Sequence, residues 1–324
     1  MSDTNLAASV VIPARNVARW VPRALASIGP EPCLEILVVD DGSTDSTPAL
    51  LRAASQHDPR IRILAGPSQG PSAARNLALA AARAPLIAFL DADDRWRPSK
   101  LARQLALHAA RPDLGFSFTD YRHLSMDGQD FGTCFGFWPR FAARHAGRRV
   151  GFELGPDAMA QIYAENVVGT STVVASTALL RSVGGFGEVL CSAEDWDLWL
   201  KLAAEAPVGC VPEVLADYSI GRPGAVSRDR NARLTALREI ARRHAEPVRR
   251  MAPSAISACE ARLLVAQAEA AETEGRRHRG AALRIGALVR QPNRRLAREA
   301  AAGLWRAVKG NAGGASAAMK PARA

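Results

Sequence analysis

Cysteine is scarce. The 324 residues hold five, Cys33, Cys134, Cys191, Cys210 and Cys259, odd in number, far apart and without a CxxC pair. That pattern excludes a disulfide framework and a cysteine-based zinc site and fits free thiols in a reducing compartment. No apolar run reaches the roughly 18 residues of a membrane-spanning helix. The N-terminal segment MSDTNLAASVVIPARN carries Asp3 early and no basic stretch ahead of an apolar one. No secretory signal is therefore expected, and the protein should stay in the cytoplasm. Glycine-rich phosphate loops are also missing. The first strand-like segment, VVIPARN, has no glycine, which argues against a Rossmann dehydrogenase and a nucleotidyltransferase. An EF-hand is excluded as well, since VVDDGSTDST lacks the alternating ligands, the sixth-position glycine and the closing glutamate.

What is present is an apolar fraction of 48%, enough for a sizeable core, and a formal charge of +10 that is unevenly spread. From Asn231 onward there are 19 Lys and Arg against 7 Asp and Glu, a net charge of +12. Residues 1–230 hold 23 basic and 25 acidic residues, a net charge of −2. The basic character belongs to the tail, whereas a nucleic-acid enzyme would carry it among its functional motifs.

Apolar runs alternating with helical periodicity over the first 120 residues predict βαβ units around a parallel sheet. Strands are expected at 9–14, 36–39, 61–64, 86–90 and 114–119. Helices are expected at 17–28, 48–56, 72–82 and 98–110, the second capped by Ser46 or Thr47 with Pro48 in its first turn. The stretch 121–165 reads as a substrate-side insertion with a short helix at 156–165. A strand at 171–176, a helix at 194–204 and strands at 208–211 and 216–220 follow. From about 231 the spacing is helical, and a Gly/Ala/Lys tail over 311–324 is expected to be disordered.

Polar clusters sit where the first strands end, the place where open parallel sheets bind ligands. Pro13, Ala14, Arg15 and Asn16 follow the first strand. Asp40 and Asp41 cap the second, where carboxylates accept from a base N–H or a ribose hydroxyl; the alternative is a plain Asx turn leading into the next helix. In GPSAARNLALA, Arg75 projects from the first turns of a helix, as a fork of donors for phosphate or as an ordinary exposed arginine. LIAFLDADDRW is the most specific cluster. Residues i and i+2 of an extended segment point the same way, so Asp91 and Asp93 converge, and a hard divalent ion relieves their repulsion. A haloacid-dehalogenase phosphatase also places Asp-x-Asp after a strand, but Arg95 stands where its Thr or Val belongs. Finally, Glu194 and Asp195 open the amphipathic segment EDWDLWLKLA, as favourable helix-dipole acids or as a general base.

In this order and spacing, VVIPARN, EILVVDDGSTD, GPSAARNLAL, PLIAFLDADDRWRPSKL, LLRSVGGFGE and AEDWDLWLKLA resemble the family 2 glycosyltransferases over roughly residues 8–225. That is the inverting GT-A group that includes many bacterial cell-surface polysaccharide enzymes. The resemblance implies an α/β GT-A domain over 1–230, mostly parallel and Rossmann-like in its first half, with a nucleotide half at about 8–120 and an acceptor half at about 121–230. A basic helical extension follows at 231–310.

The resemblance also implies roles. Asp41, with Asp40 beside it, would bind base and ribose, and Pro13 and Arg15 would line the base pocket, Arg15 standing where many relatives carry Tyr. Arg75 would lie near the diphosphate. Asp91, Ala92 and Asp93 would form the DxD motif holding Mn²⁺ or Mg²⁺, chiefly through Asp93. Asp195 would be the catalytic base with Glu194 its neighbour, and Arg222 and Ser227 would belong to a late loop over the donor. The implied reaction moves a sugar from a nucleoside diphosphate, UDP favoured, to a hydroxyl of a glycan or lipid-linked acceptor. A non-catalytic sugar-nucleotide-binding protein on the same fold and a nucleotidyltransferase are the alternatives. The extension reads either as an appendage packed on the catalytic domain or as a basic face that also rests on the anionic inner face of the plasma membrane.

Overall fold

The computed structural model of the protein describes residues 8–31, 33–222 and 229–309. The strands are β1 (Ala8–Ala14), β2 (Cys33–Asp40), β3 (Ile61–Ala65), β4 (Leu86–Phe89), β5 (Arg95–Trp96), β6 (Phe116–Ser125), β7 (Asp130–Thr133), β8 (Phe152–Glu153), β9 (Val174–Ser176) and β10 (Val208–Ile220). The helices are α1 (Val21–Ile28), α2 (Thr47–His57), α3 (Pro71–Ala81), α4 (Lys100–Ala110), α5 (Cys134–Phe137), α6 (Pro139–Arg144), α7 (Ala158–Ala164), α8 (Thr177–Ser182), α9 (Glu194–Glu205), α10 (Arg230–Met251), α11 (Pro253–Thr273), α12 (Arg277–Arg290) and α13 (Arg294–Lys309).

One sheet runs in the order β3-β2-β1-β4-β9-β6-β10-β5, with β7 added to β6 and β8 to β10. β3, β2, β1 and β4 are mutually parallel. Val10, Val11, Ile12, Leu37, Val38 and Ile87 are fully buried, as expected of strands covered by crossover helices on both faces. The chain winds outward from β1 to β3 and then returns to the other side of β1 with β4. A reversal of this kind opens a crevice at the carboxyl ends of β1 and β4, and the candidate residues line it.

The structure lengthens or trims several expected elements for identifiable reasons. α1 begins at Val21 and not at Val17, because Pro22 has no N–H to donate to the Ala18 carbonyl and stands instead in the first turn of the helix. The expected pair of strands at 208–220 is one strand, β10, with register shifts between Val211 and Ala216. Pro212 lies in that interval and has no N–H for the ladder, so the irregularity falls there. The expected strand at 171–176 is a short 3₁₀ turn (Thr170–Thr172) leading into β9, which runs antiparallel between β4 and β6. The short strands β5, β7 and β8 and the helices α5, α6 and α8 were not anticipated.

α10 packs on α7 and α9, α11 on α7, α12 on α11, and α13 on α12. Tyr163 Oη donates to the Ala241 carbonyl at 2.9 Å, and the Arg262 guanidinium lies 4.0 Å from the centre of the Trp196 ring. Burial pushes the Arg262 pKa down, and the aromatic face replaces the lost hydration. No helix among the described residues is long and apolar enough to cross a membrane. The tail expected at 311–324 lies outside the described residues.

Candidate active site

Two loops at the carboxyl ends of β1 and β2 are stapled together. Asn16, in a left-handed conformation with φ 51°, accepts the Thr44 N–H at 2.7 Å on its side-chain oxygen. In return Ser43 Oγ accepts the Asn16 N–H, Thr47 Oγ1 the Val17 N–H and Asp45 Oδ2 the Ala18 N–H. Asp40 closes the turn by accepting the Ser43 N–H at 3.0 Å. Asp41 points the other way and is buried. Its two oxygens accept the Ser68 and Gly70 N–H groups, each at 2.7 Å, and Arg15 approaches to 3.9 Å. A Cβ at Gly66 would stand 2.8 Å from Asp41 Cα, so only glycine lets the loop 66–70 pass this close. Pro13 remains within β1, opposite Val39, and Arg15 is exposed at the rim.

Arg75 sits at the centre. It is buried, donating to Asp91 Oδ1 at 2.6 Å and to Glu194 Oε1 at 3.0 Å. Its guanidinium lies 5.1 Å from the centre of the Phe186 ring. Asn76, the next residue on α3, fixes Phe186 by accepting its N–H and donating to its carbonyl. The charges of Asp91, Glu194 and Asp195 oppose the desolvation of Arg75 and raise its pKa. One arginine therefore links the loop after β4 to the start of α9.

The loop 91–94 crowds three carboxylates. Burial and the neighbouring Asp91 charge push the Asp93 carboxyl up, and Arg222 Nε pairs with its Oδ2 at 2.6 Å. Asp94 is more deeply buried, and burial with the charges of Asp93 and Asp91 pushes it well up. It accepts from Ser171 Oγ at 2.6 Å and from the Ser219 N–H at 2.8 Å, while Ser219 Oγ donates to the Asp93 carbonyl. Asp94 is thus the anchor of the loop, leaving Asp91 and Asp93 toward the crevice. Ala92 is buried between them.

Across the crevice, Ala193 takes a left-handed conformation, φ 55°, and turns the chain into α9. Asp195 follows in the first turn, its Oδ2 accepting from Thr170 Oγ1 at 3.0 Å and its Oδ1 from the Trp196 N–H at 2.7 Å. Each oxygen keeps lone-pair capacity for a further donor. Glu194 is turned onto Arg75, and burial with the Asp195 charge raises its pKa. The Tyr218 hydroxyl is pushed up by burial and by the charges of Asp94, Asp93, Asp91 and Asp195, and its ring packs on Tyr121 and His123 with centres 5.6 and 5.8 Å apart.

Asp91 and Asp93 offer hard oxygen donors of the kind Mg²⁺ and Mn²⁺ prefer, and like-charge crowding gives a cation a purpose there. Among the described residues no group of three or more His, Cys, Asp or Glu side chains is arranged to hold a metal alone. One or two carboxylates suit Mg²⁺ when substrate phosphates complete the shell, so the residues fit. A cavity of about 220 Å³ opens beside them, lined by Trp20, Arg23, Asp93, Asp94, Ser219 and the turn 124–128. A cavity of about 280 Å³ lies elsewhere, by Arg140, Arg144 and Glu165. Its arginines are already engaged, Arg140 with Ser254 and Gln291 and Arg144 with Asp157.

Of the expected residues, Asp91, Asp93, Arg75, Glu194, Asp195 and Arg222 come together by these contacts. Asp40 serves a turn, Asp41 holds a neighbouring loop, and Ser227 lies outside the described residues. Sequence reasoning missed Ser171, Ser219, Thr170 and Asn76. Only Asn76 left a signal, inside GPSAARNLALA.

Residues 9–149 match the family model described as Glycosyl transferase family 2. The chain is 30% identical over 222 residues to an uncharacterized glycosyltransferase of Rickettsia conorii, covering 68% of this chain and 33% of that protein. It is 36% identical over 123 residues to the putative teichuronic acid biosynthesis glycosyltransferase TuaG of Bacillus subtilis, covering 37% of this chain and 48% of that one. The chain thus spans about a third to a half of the length of these relatives. Among solved structures it resembles the mannosyltransferase PcManGT of Pyrobaculum calidifontis in complex with GDP-Man and Mn²⁺, with TM-score 0.61 and 22% identity over 92% of this chain and 79% of that one. It also resembles residues 1–349 of S. aureus TarS in complex with UDP-GlcNAc, with TM-score 0.59 and 18% identity over 89% and 82% of the two chains. At these identities the likeness is one of fold.

Proposed function

Through residues 9–149 the chain belongs to glycosyltransferase family 2, on a GT-A fold, and from that premise we propose that it transfers a sugar, with inversion, from a nucleoside-diphosphate sugar to an acceptor hydroxyl. The donor is a UDP-sugar and the acceptor a glycan or lipid-linked glycan of the cell envelope, met at the cytoplasmic face of the plasma membrane. TuaG, named for teichuronic acid biosynthesis, and the UDP-GlcNAc complex of TarS support this choice. The observation that carries the reading is the union, through Arg75, of the Asp91–Asp93 loop with the α9 turn that bears Asp195.

Each residue has a physical task. Asp41 and the stapled loops shape the floor for base and ribose, with Pro13, Asp40 and Arg15 at its rim. Arg75 and Arg222 stand where the diphosphate charge would fall, already bound to Asp91 and Asp93. Asp91 and Asp93 would hold Mn²⁺ or Mg²⁺, which as a Lewis acid offsets the charge developing on the leaving diphosphate. Asp195, held by Thr170 and the Trp196 N–H, takes the proton of the attacking hydroxyl. Glu194, bound to Arg75, keeps Asp195 oriented. Attack opposite the leaving group inverts the anomeric carbon without an enzyme-bound sugar.

A panel of UDP-, GDP- and dTDP-sugars tested with Mn²⁺, with and without EDTA, checks the reading. The expected result is turnover of one UDP-sugar, lost in EDTA, with an inverted product. Donor binding without turnover on any acceptor would instead support a sugar-nucleotide-binding protein. Turnover unaffected by EDTA would remove the metal from the account.

A further inference from the structure

The four helices that end the described chain look uniformly basic in sequence, yet the structure divides them. Over residues 229–276 nine Lys and Arg face seven acids, a net charge of +2, whereas residues 277–309 hold nine against Glu299 alone, a net charge of +8. Many α10 cations are engaged: Arg230 with Glu269, Arg242 and Arg243 with Glu239, Arg249 and Arg250 with Glu246. On α12 and α13 several cations are engaged too, Arg284 and Arg306 with Glu272, Arg290 with Glu260 and Arg295 with Glu299, so the charge offered to a partner is that of the outward face. On α13 a single exposed face carries Arg294 and Arg298, then Leu304, Trp305 and Val308, at the three- and four-residue spacing that aligns side chains on a helix.

Among the described residues, exposed large apolar side chains occur elsewhere only at separate positions, such as Leu50, Val150 and Val189, whereas α13 sets three of them within five residues. Leu304 is 46% exposed, Trp305 60% and Val308 82%, and α12 adds Ile285 and Val289. Trp96, Trp138, Trp196 and Trp199 are buried, so the exposed indole is confined to this face and the half-buried Trp20. Lys309 Nζ lies 4.6 Å from the centre of the Trp305 ring.

We infer that the α12–α13 hairpin, and not the extension as a whole, is a docking surface for an anionic lipid bilayer. Positive charge bordering an exposed Trp, Leu and Val matches a bilayer interface, where cations meet headgroups and an indole sits at the boundary. Nucleic acid would satisfy the charge but leave the aliphatic residues in water. The inference rests on the membrane placement in the functional reading and goes further by naming the surface. Vesicle binding is independent of turnover, so the two fail separately.

The test is co-sedimentation of the full chain with vesicles of phosphatidylcholine alone or with added phosphatidylglycerol, alongside tryptophan fluorescence. Binding to anionic vesicles with a blue shift is expected, weakening by about fivefold for each of Arg294 and Arg298 replaced by Ser. Leu304→Ser with Trp305→Ala and Val308→Ser should remove the blue shift and most of the binding, leaving helical circular dichroism and donor hydrolysis intact. Arg249→Ser with Arg250→Ser, on α10, should change little. No binding to anionic vesicles, equal binding to neutral ones, retained binding in the triple variant, or displacement from vesicles by RNA at equal charge would each overturn the assignment.

Discussion

The two sides of the crevice are held by different means. On the nucleotide side, carboxylates of short loops bind backbone N–H groups nearby: Asp40 to Ser43, Asp45 to Ala18 and Thr47, Asp41 to Ser68 and Gly70. On the base side, α9 is held from behind by the C-terminal extension. Asp197, two residues after Asp195 and fully buried, binds Lys201 at 2.7 Å and, across to α10, Arg243 and His244 at 2.9 Å each. Asp195 and Asp197 share a helix and a residue type but not a fate: one keeps capacity for a proton, the other is consumed by cations. On the proposed function, the loops would shape the ligand site and the extension would set the position of the base.

Substitutions should rank accordingly. Asp197→Ala removes the buried acceptor shared by Lys201, Arg243 and His244, so it should cost about 3 kcal/mol of stability, read by urea unfolding, and reduce turnover as α9 loosens. A loss no larger than that of an exposed residue would break the comparison. Asp94→Ala leaves the Ser219 N–H and the Ser171 hydroxyl without their acceptor and should cost about 2 kcal/mol, with weaker metal-dependent donor binding by calorimetry. Asp40→Ala removes one hydrogen bond of a partly exposed turn and should cost about 1 kcal/mol or less.

The same carboxylate predicts a dependence on pH. Bonds from His244 and Lys201 outweigh burial and bring Asp197 from 3.8 down to about 2. The unfolded chain therefore takes a proton there before the folded chain does. The stabilisation is complete above about pH 4 and disappears as the pH falls toward 2. A thermal-melting series should show a shallower acid limb in Asp197→Asn than in the parent, and parallel limbs would refute the linkage.

Much of the nucleotide side was legible because its signals are local. The strands β1 and β4 are short apolar runs, and Asp40 and Asp45 stand within three residues of the Ser43 and Thr47 N–H groups they accept. Ser46 or Thr47 was expected to cap α2, but Ser46 makes no such bond, Asp45 accepts the Thr47 N–H, and Thr47 reaches back to Val17. The loop 91–94 was less legible because its contacts join still more distant segments. Ser171 meets Asp94 across 77 residues and Ser219 meets Asp93 across 126, and no periodicity announces such pairs. The segment 194–202 was expected to have one apolar side. In the structure Trp196 to Leu200 are all fully buried, Asp197 included, because α7 and α10 cover the face that would otherwise meet water.

The central claim is that Asp195 is the base of a direct, inverting transfer, and the Asp195→Asn variant tests it when donor Kd and kcat are measured on the same preparation. The account predicts a donor Kd close to that of the parent and a kcat lower by roughly 10²–10⁴. A kcat within a few-fold of the parent, or a loss confined to donor binding, would contradict it.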